Sequence, residues 1–487
     1  VEILEGLEDD TVSFYYQSRF EDLCRGPHIP NTGYIKAFKL TASSGAYWRG
    51  DENRQMLQRI YGVSYPKKAM LEEYLTRMEE AKRRDHRVIG KQQELYTISE
   101  RVGAGLILWR PRGARIRNEI ENFWRSEHLK YGYDLVYSPH IANRSLWEQS
   151  GHTDFYSDDM FGAIEVDDKR YQLKPMNCPF HIEMYNARLW SYRDLPLRWA
   201  ELGTVYRYEK PGVLHGLMRV RGFTQDDAHH FVAQENMEEE LVWILNFCVH
   251  ILSSFGFKDY NIFLSTRPEK AIGDKEDWDR AEDGLRAALE KVGLPFEVDE
   301  GGGAFYGPKI DIQIKDAIGR GWQCSTIQFD FSLPERFNLS YIDSSGQQKR
   351  PFMIHRALLG SIERFFGVLI EHYAGNFPLW LAPTQVKVLP ITDSVNEYAQ
   401  ELTKKLKENN FRAELDDRSE KVGAKIRDAE LFKVPYMFVV GAREAESGQV
   451  SIRRHGQGDI GTKSFEEALE MLKTEEKSKG LTNEKKK

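Results

Sequence analysis

Two stretches of this sequence hold side chains suited to a phosphorylated ligand. In TVYRYEKPG, at 204–212, and HGLMRVRGFTQDDAH, at 215–229, two β-rich arms flank a turn near Lys210 to Gly212. The second arm returns Arg219 and Phe223 toward Arg207. Such a hairpin can hold a nucleotide: Arg207 clamps an α-phosphate, Glu209 accepts from an exocyclic amine, and Phe223 offers a stacking face for adenine. A lone arginine there would read as a solvated surface charge, but here several polar groups and an aromatic converge on one turn. In MIHRALLGSIERFFGVLIEHYAG, Arg364 stands in an otherwise apolar helical run. So placed, it needs an anionic partner, either a ligand phosphate or a carboxylate. Cys178, His229 and His355 are metal-ligand types, yet they lie in three separate segments and their spacing shows no zinc site. Taken one at a time, a buried thiol and two satisfied histidines account for them as well.

The elements that must position these groups follow from patterning. Residues 1–64 mix short apolar stretches with turn signals and read as the tail of a small domain, and 65–100 as a charged linker with a helix from Lys67 to Leu95. Residues 101–382 alternate β-rich runs with long helical patterns at 116–130 and 236–254, which predicts one large α+β domain. From LAPTQ onward, VKVLPI, RAELDD, YMFVVG and QVSIRR alternate with helical patterns at 394–408, 420–431 and 464–479. This predicts a separate α/β domain over 383–479, followed by a frayed tail over 480–487. Gly456, Gly458 and Gly461 spell a dinucleotide-binding pattern there, a weak signal so near the chain's end.

Composition bounds the functional classes. The 487 residues are 41% hydrophobic and 29% charged, as in an ordinary multidomain globular protein, and no apolar run approaches the roughly 20 residues of a membrane helix. Four scattered cysteines favour a reducing compartment, the cytoplasm or an organelle matrix. The net charge of −7 gives no global support for nucleic-acid binding, which must rest on local features. VEILEGLEDD has no initiator Met and no leader pattern, so we expect an N-terminally shortened chain.

Together these motifs resemble those of class II aminoacyl-tRNA synthetases. RIRNEIENFWRSEHLKYGYDLVYSPHI, with Pro139, is similar to their first motif; Arg207 and Glu209 belong to the second and Arg364 to the third. KPMNCPFH, RGFTQDDAH, GGGAFYGPKIDIQIKD and MIHRALLGSIERF resemble the threonyl-tRNA synthetase family in particular, in order along nearly the whole chain. The resemblance implies an antiparallel catalytic sheet, ATP with Mg2+, threonine and tRNA(Thr) as substrates, and a C-terminal anticodon-binding domain.

It also implies residue roles. Cys178, His229 and His355 match the family's zinc ligands, and three protein ligands leave positions open for the amino and hydroxyl groups of threonine. Asp227 is then placed against the threonine hydroxyl, Gln225 and Tyr306 along the amino acid, Arg207 near its carboxylate, Lys309 near phosphate and Gln323 near ribose. His152, in SGHTDF, resembles a histidine near the terminal ribose of tRNA, where it could relay a proton. Glu444 and Arg453 match positions that read anticodon bases. DLCRGPH, with Asp22, Cys24 and His28, resembles the end of an editing domain. No histidine precedes His28, so an upstream histidine pair is missing and we expect serine to be charged and not cleared. We also expect a homodimer, because Ile116, Ile120, Phe123 and Trp124 give the first motif more apolar surface than one sheet face covers. A zinc hydrolase lacks HExxH support, and a non-catalytic paralogue is disfavoured by the intact arginines and ligand positions.

Overall fold

The computed structural model describes residues 11–51 and 53–479. The chain divides into two units, Val1–Lys82 and Arg83–Lys487. The expected tail lies outside the described residues, as do residues 1–10.

In the first unit, Phe14–Gln17 pairs antiparallel with Phe20–Leu23, and Ala37–Tyr47 with Met56–Tyr65. Cys24 is half-buried and its carbonyl accepts from Ser13 Oγ, while the exposed His28 stacks on Tyr15 at 3.7 Å between centroids. Helix α1, Lys68–Arg83, follows. The single helix expected to Leu95 is broken: Asp85 accepts from the Arg87 N–H and caps a new helix α2, His86–Gln92.

The second unit carries an eight-stranded, mainly antiparallel sheet and a smaller α/β domain, an α+β fold as expected. The strands of the large sheet are β1 (Asp134–Leu135), β2 (Leu197–Tyr206), β3 (Gly222–Val232), β4 (Tyr260–Ser265), β5 (Glu297–Asp299), β6 (Lys309–Lys315), β7 (Gly321–Asp330) and β8 (Phe352–Ser361), in the spatial order β5-β4-β6-β7-β8-β3-β2-β1. Helices α3 (Pro111–Lys130), α4 (Cys178–Asn186), α5 (Met237–Ser254), α6 (Lys275–Val292) and α7 (Ile362–Tyr373) flank them. Sequence reading missed α6, although Trp278, Ala281, Leu285, Ala288 and Leu289 recur at helical spacing and are buried.

Three strands fix the site by simple periodicity. Alternation along β3 sends Gln225, Asp227 and His229 to one face and Asp226, Ala228 and His230 to the other. Pairing of β3 with β8 puts His229 directly opposite His355. A bulge interrupts that pairing at Gln225/Asp227, where the buried Asp226 carboxylate accepts the N–H groups of Leu358, Leu359 and Gly360 at 2.9 Å each. Burial pushes the Asp226 pKa up to about 6 against the pull of Arg356 and these N–H groups. The chain then enters α7 at Ser361, whose hydroxyl accepts the Arg364 N–H.

Helix α3 uses its own apolar stripe. Ile116, Ile120, Phe123 and Trp124 are all buried within the subunit's core, so they do not supply the surplus surface on which the homodimer expectation rested.

The smaller domain has strands β9 (Val386–Pro390), β10 (Ala413–Leu415), β11 (Tyr436–Val440), β12 (Gln449–Arg454) and β13 (Gly458–Ser464), in the order β10-β9-β11-β12-β13. The first three are parallel and the last pairings antiparallel. Helices α8 (Asn396–Glu408), α9 (Val422–Leu431) and α10 (Phe465–Lys477) close its core. Gly456, Gly458 and Gly461 serve the β12–β13 hairpin, all at positive φ, and form no phosphate loop.

Candidate active site

A cavity of about 560 Å³ opens on the β3–β8–β7 face, lined by Arg207, Glu209, Arg219, Phe223, Gln225, Asp227, His229, Tyr306, Gln323, His355 and Arg364 among others, with Cys178 at its inner end. At the hairpin end, Val205 pairs with Phe223, and Arg207 Cζ stands 5.2 Å from the Phe223 ring centroid. Glu209 and Arg219 meet each other at 2.8 Å, an ion pair that both would have to share with any ligand. Arg364 lies across the cavity from the α7 side, and its buried Nε has no hydrogen-bond partner. An unpaired cationic donor facing a cavity is suited to an anionic ligand.

At the inner end, Cys178 in the first turn of α4, His229 on β3 and His355 on β8 bring their ligand atoms within 4.8 Å of one another. Each imidazole is held by its far nitrogen. His229 Nδ1 lies 2.8 Å from His181 Nδ1, and His355 Nε2 lies 2.8 Å from Asp330 Oδ2. Asp330 is itself fixed by the Ser332 and Leu333 N–H groups. The remaining nitrogens and the thiol suit a tetrahedral cation, and anchored imidazoles are the usual support for one. Burial pushes the Cys178 thiol up and the His229 imidazole well down, so these two groups favour their neutral forms without a cation.

Around this cluster, Asp227 accepts from Asn177 Nδ2 at 3.1 Å, and burial raises its pKa. Asn177 packs so closely on β2 that a Cβ at Gly203 would lie 2.4 Å from its amide. Asn177 Oδ1 and Gln225 Oε1 are buried acceptors without partners, open to an ammonium or hydroxyl donor. Tyr306 donates to Gln328 Oε1 at 3.1 Å.

Residues 161–373 match the tRNA synthetase class II core domain (G, H, P, S and T), residues 385–475 the anticodon binding domain, and residues 12–61 the threonyl and alanyl tRNA synthetase second additional domain. The chain is 55% identical to the threonine–tRNA ligase of Magnetococcus marinus over 97% of its own length and 73% of the relative's. It is 56% identical to that of Nitrosococcus oceani over 95% and 72%. The solved RNA binding domain of threonyl-tRNA synthetase from Cryptosporidium parvum Iowa II aligns at a TM-score of 0.77 and 39% identity, covering 80% of this chain and 98% of that one. The chain belongs to the threonine–tRNA ligase family. As a class II synthetase, this ligase uses ATP with Mg2+, an amino acid and tRNA. None of its helices, among the described residues, is long and apolar enough to cross a membrane.

Of the residues expected at the catalytic, metal and anticodon sites of this ligase, four do not line the cavity. Lys309 pairs with Asp311 at 2.7 Å, and the same carboxylate accepts from Gln323 and Thr326. Asp311 thereby links Lys309 to Gln323, which the sequence reading did not foresee. His152 is buried beside the cavity, with Nδ1 2.7 Å from Ser150 Oγ and Nε2 2.9 Å from Met176 Sδ. Burial holds its pKa at about 4, so it is neutral near pH 7. In the smaller domain, Glu444 spends one carboxylate oxygen on the Gly441 N–H at 2.8 Å, while Arg453 stands on β12 with its Nε unpartnered. His181, Asn177, Asp311 and Asp330 are the supporting residues that sequence reasoning missed. Only His181 and Asn177 carried a usable signal, through their proximity to Cys178 in KPMNCPFH.

Proposed function

We propose that the chain forms threonyl-adenylate in this cavity, with a zinc ion held by Cys178, His229 and His355 selecting the amino acid, and passes the threonyl group to the 3′ end of tRNA(Thr). The observation that carries this reading is the cluster of three ligand types, two of them anchored from behind, beside the unpartnered Gln225 Oε1 and the half-buried Asp227. When bound, zinc supplies a Lewis-acidic centre for the amino and hydroxyl groups of threonine. Asp227 accepts from the hydroxyl, Gln225 and Tyr306 hold the amino end, and Arg207 steers the carboxylate toward the α-phosphate. Phe223 stacks on adenine, Glu209 accepts from its amine and Arg219 pairs with the outer phosphates. Arg364 and Lys309 bind phosphate charge and Gln323 the ribose. A carboxylate oxygen of threonine attacks the α-phosphorus and diphosphate leaves. A terminal hydroxyl of tRNA then attacks the adenylate's carbonyl carbon and AMP leaves, with neutral His152 near the hydroxyl as proton relay.

The same reading assigns Glu444 and Arg453 to the anticodon and divides the chain at 64, 100, 382 and 479. A homodimer is retained on the family resemblance and on the exposed Leu129, Tyr137 and Ile141 near the end of α3. Free cysteines suit the cytoplasm or an organelle matrix. The test is native mass spectrometry together with threonine-dependent ATP–diphosphate exchange. One zinc per subunit in a dimer, with exchange supported by threonine and not by valine, is expected. Full exchange from zinc-free protein, with unchanged preference for threonine, would refute the selecting role.

A further inference from the structure

A second group of ligand types, Asp85, His86 and Glu371, also lies within 4.8 Å. Its hydrogen bonds argue against a cation. The fully buried His86 ring has Nδ1 2.7 Å from Glu371 Oε1, and its Nε2 receives the Leu217 backbone N–H at 3.1 Å. A backbone N–H only donates, so Nε2 carries the lone pair and Nδ1 the proton. Glu371 Oε2 is taken by Arg320 at 2.5 Å, and Asp85 by the backbone and guanidinium of Arg87. Both ring nitrogens are spent, and each carboxylate already has its cation.

The ring instead joins three elements: the start of α2, the last turn of α7, and the loop between β2 and β3. The loop is built for this contact. Gly216 has φ +50°, and a Cβ there would stand 2.1 Å from His86 Nε2. Leu217 is fully buried and, with Met218, packs against Gly367 of α7. The next residues, Met218, Arg219 and Val220, line the cavity, whereas His86 does not touch it.

We propose that His86 is a positioning residue for adenylate formation: as the neutral Nδ1–H tautomer it ties the loop 215–220 to α7 and so sets Met218 and Arg219 against ATP. The proposal rests on the assignment of the Arg219–Phe223 end of the cavity to ATP.

Two substitutions separate the two ends of the ring. His86→Asn keeps an amide near Glu371 but falls short of Leu217, leaving that buried N–H unsatisfied. His86→Gln carries its carbonyl oxygen out to the Nε2 position. In threonine-dependent exchange, H86N is expected to raise the KM for ATP roughly fivefold or more, the scale of one buried donor left unpaired, with the KM for threonine nearly unchanged. H86Q is expected to restore most of the loss. Gly216→Ala, which leaves His86 in place but forces the loop off it, should reproduce the H86N pattern and serves if H86N does not fold. Equal losses in H86N and H86Q, or a fall in kcat alone that follows a lowered Tm, would overturn the positioning role. A rise in the KM for threonine instead of ATP would support the tether while overturning the assignment of the cavity's two ends.

Discussion

Arg364→Met should separate catalysis from stability with opposite signs. The side chain enters the cavity from the first turn of α7, and its buried Nε finds no acceptor in the protein. Methionine keeps most of the stem volume and removes the charge. The helix start survives, because Ser361 Oγ accepts the backbone N–H of residue 364 at 3.1 Å, not its side chain. A charge-assisted hydrogen bond to phosphate is worth about 1.5–3 kcal/mol, and one that strengthens as charge shifts onto the leaving diphosphate acts on the barrier. At about 1.4 kcal/mol per factor of ten, threonine-dependent exchange should fall between tenfold and somewhat over a hundredfold. The ligand-free fold loses no pairing of Nε, so the Tm should stay level or rise slightly. The assay is exchange at saturating threonine and ATP, paired with thermal melts with and without ATP. The ATP-induced rise in Tm should shrink in the variant. A loss of exchange below tenfold would refute the phosphate role, and a Tm several degrees lower without ligand would mean that Arg364 is a structural partner.

Cys178→Ser should abolish stoichiometric zinc, because it removes the only soft donor of the set, and metal analysis of the purified variant checks this. Arg453→Ala should weaken discrimination against tRNA with an altered anticodon while exchange without tRNA stays normal; equal weakening toward both tRNAs would mark a phosphate contact. The fourth prediction concerns pH. Burial raises the pKa of Glu240, but Arg198, bonded through two nitrogens at 2.7 Å each, and His230 at 2.6 Å outweigh it and hold the group at about 2. A depressed carboxylate pKa stabilises the fold above the ordinary glutamate range, and that stability is lost as pH falls toward 2. Glu240→Gln should therefore lower Tm at pH 7 and flatten its decline on acidification, and melts from pH 7 to pH 3 that run parallel to wild type would contradict the pairing.

How far the sequence could be read depended on whether a contact is local. The hairpin around Arg207 and Phe223 was legible because its turn and the facing ends of its arms lie within the 19 consecutive residues from Val205 to Phe223, and the pairing of those two residues follows from that proximity. Strand β3 was equally legible in retrospect, since period two sorts Gln225, Asp227 and His229 from Asp226, Ala228 and His230. The metal-ligand set was not. His229 faces His355 only through the β3–β8 register, and Cys178 reaches them only by the placement of α4, so no spacing encodes the triad; the family resemblance alone brought it forward. The dimer argument failed for the same reason. Counting apolar residues on α3 cannot tell which neighbours will cover them, and the subunit's own helices and strands do.

Orphaned polar atoms alone would not have located the site either. Trp124 Nε1 and Tyr341 OH are buried without partners and do not line the cavity, whereas Gln225 Oε1, Asn177 Oδ1 and Arg364 Nε are unpartnered in or beside it. The second group differs in being complementary to one ligand. Two acceptors flank the anchored histidines, where an ammonium or hydroxyl would enter, and a cationic donor faces the cavity where phosphate charge would lie. A fold that leaves such groups unpaired sacrifices stability unless a ligand returns the missing bonds. Threonine and ATP together supply a hydroxyl, an ammonium and phosphate oxygens, whereas valine supplies no hydroxyl and would leave one of the buried acceptors beside Asp227, Asn177 Oδ1 or Gln225 Oε1, without a donor. On the proposed assignment, selectivity against valine rests on that unsatisfied acceptor. Serine carries the same polar groups and is disfavoured only by one methyl's packing.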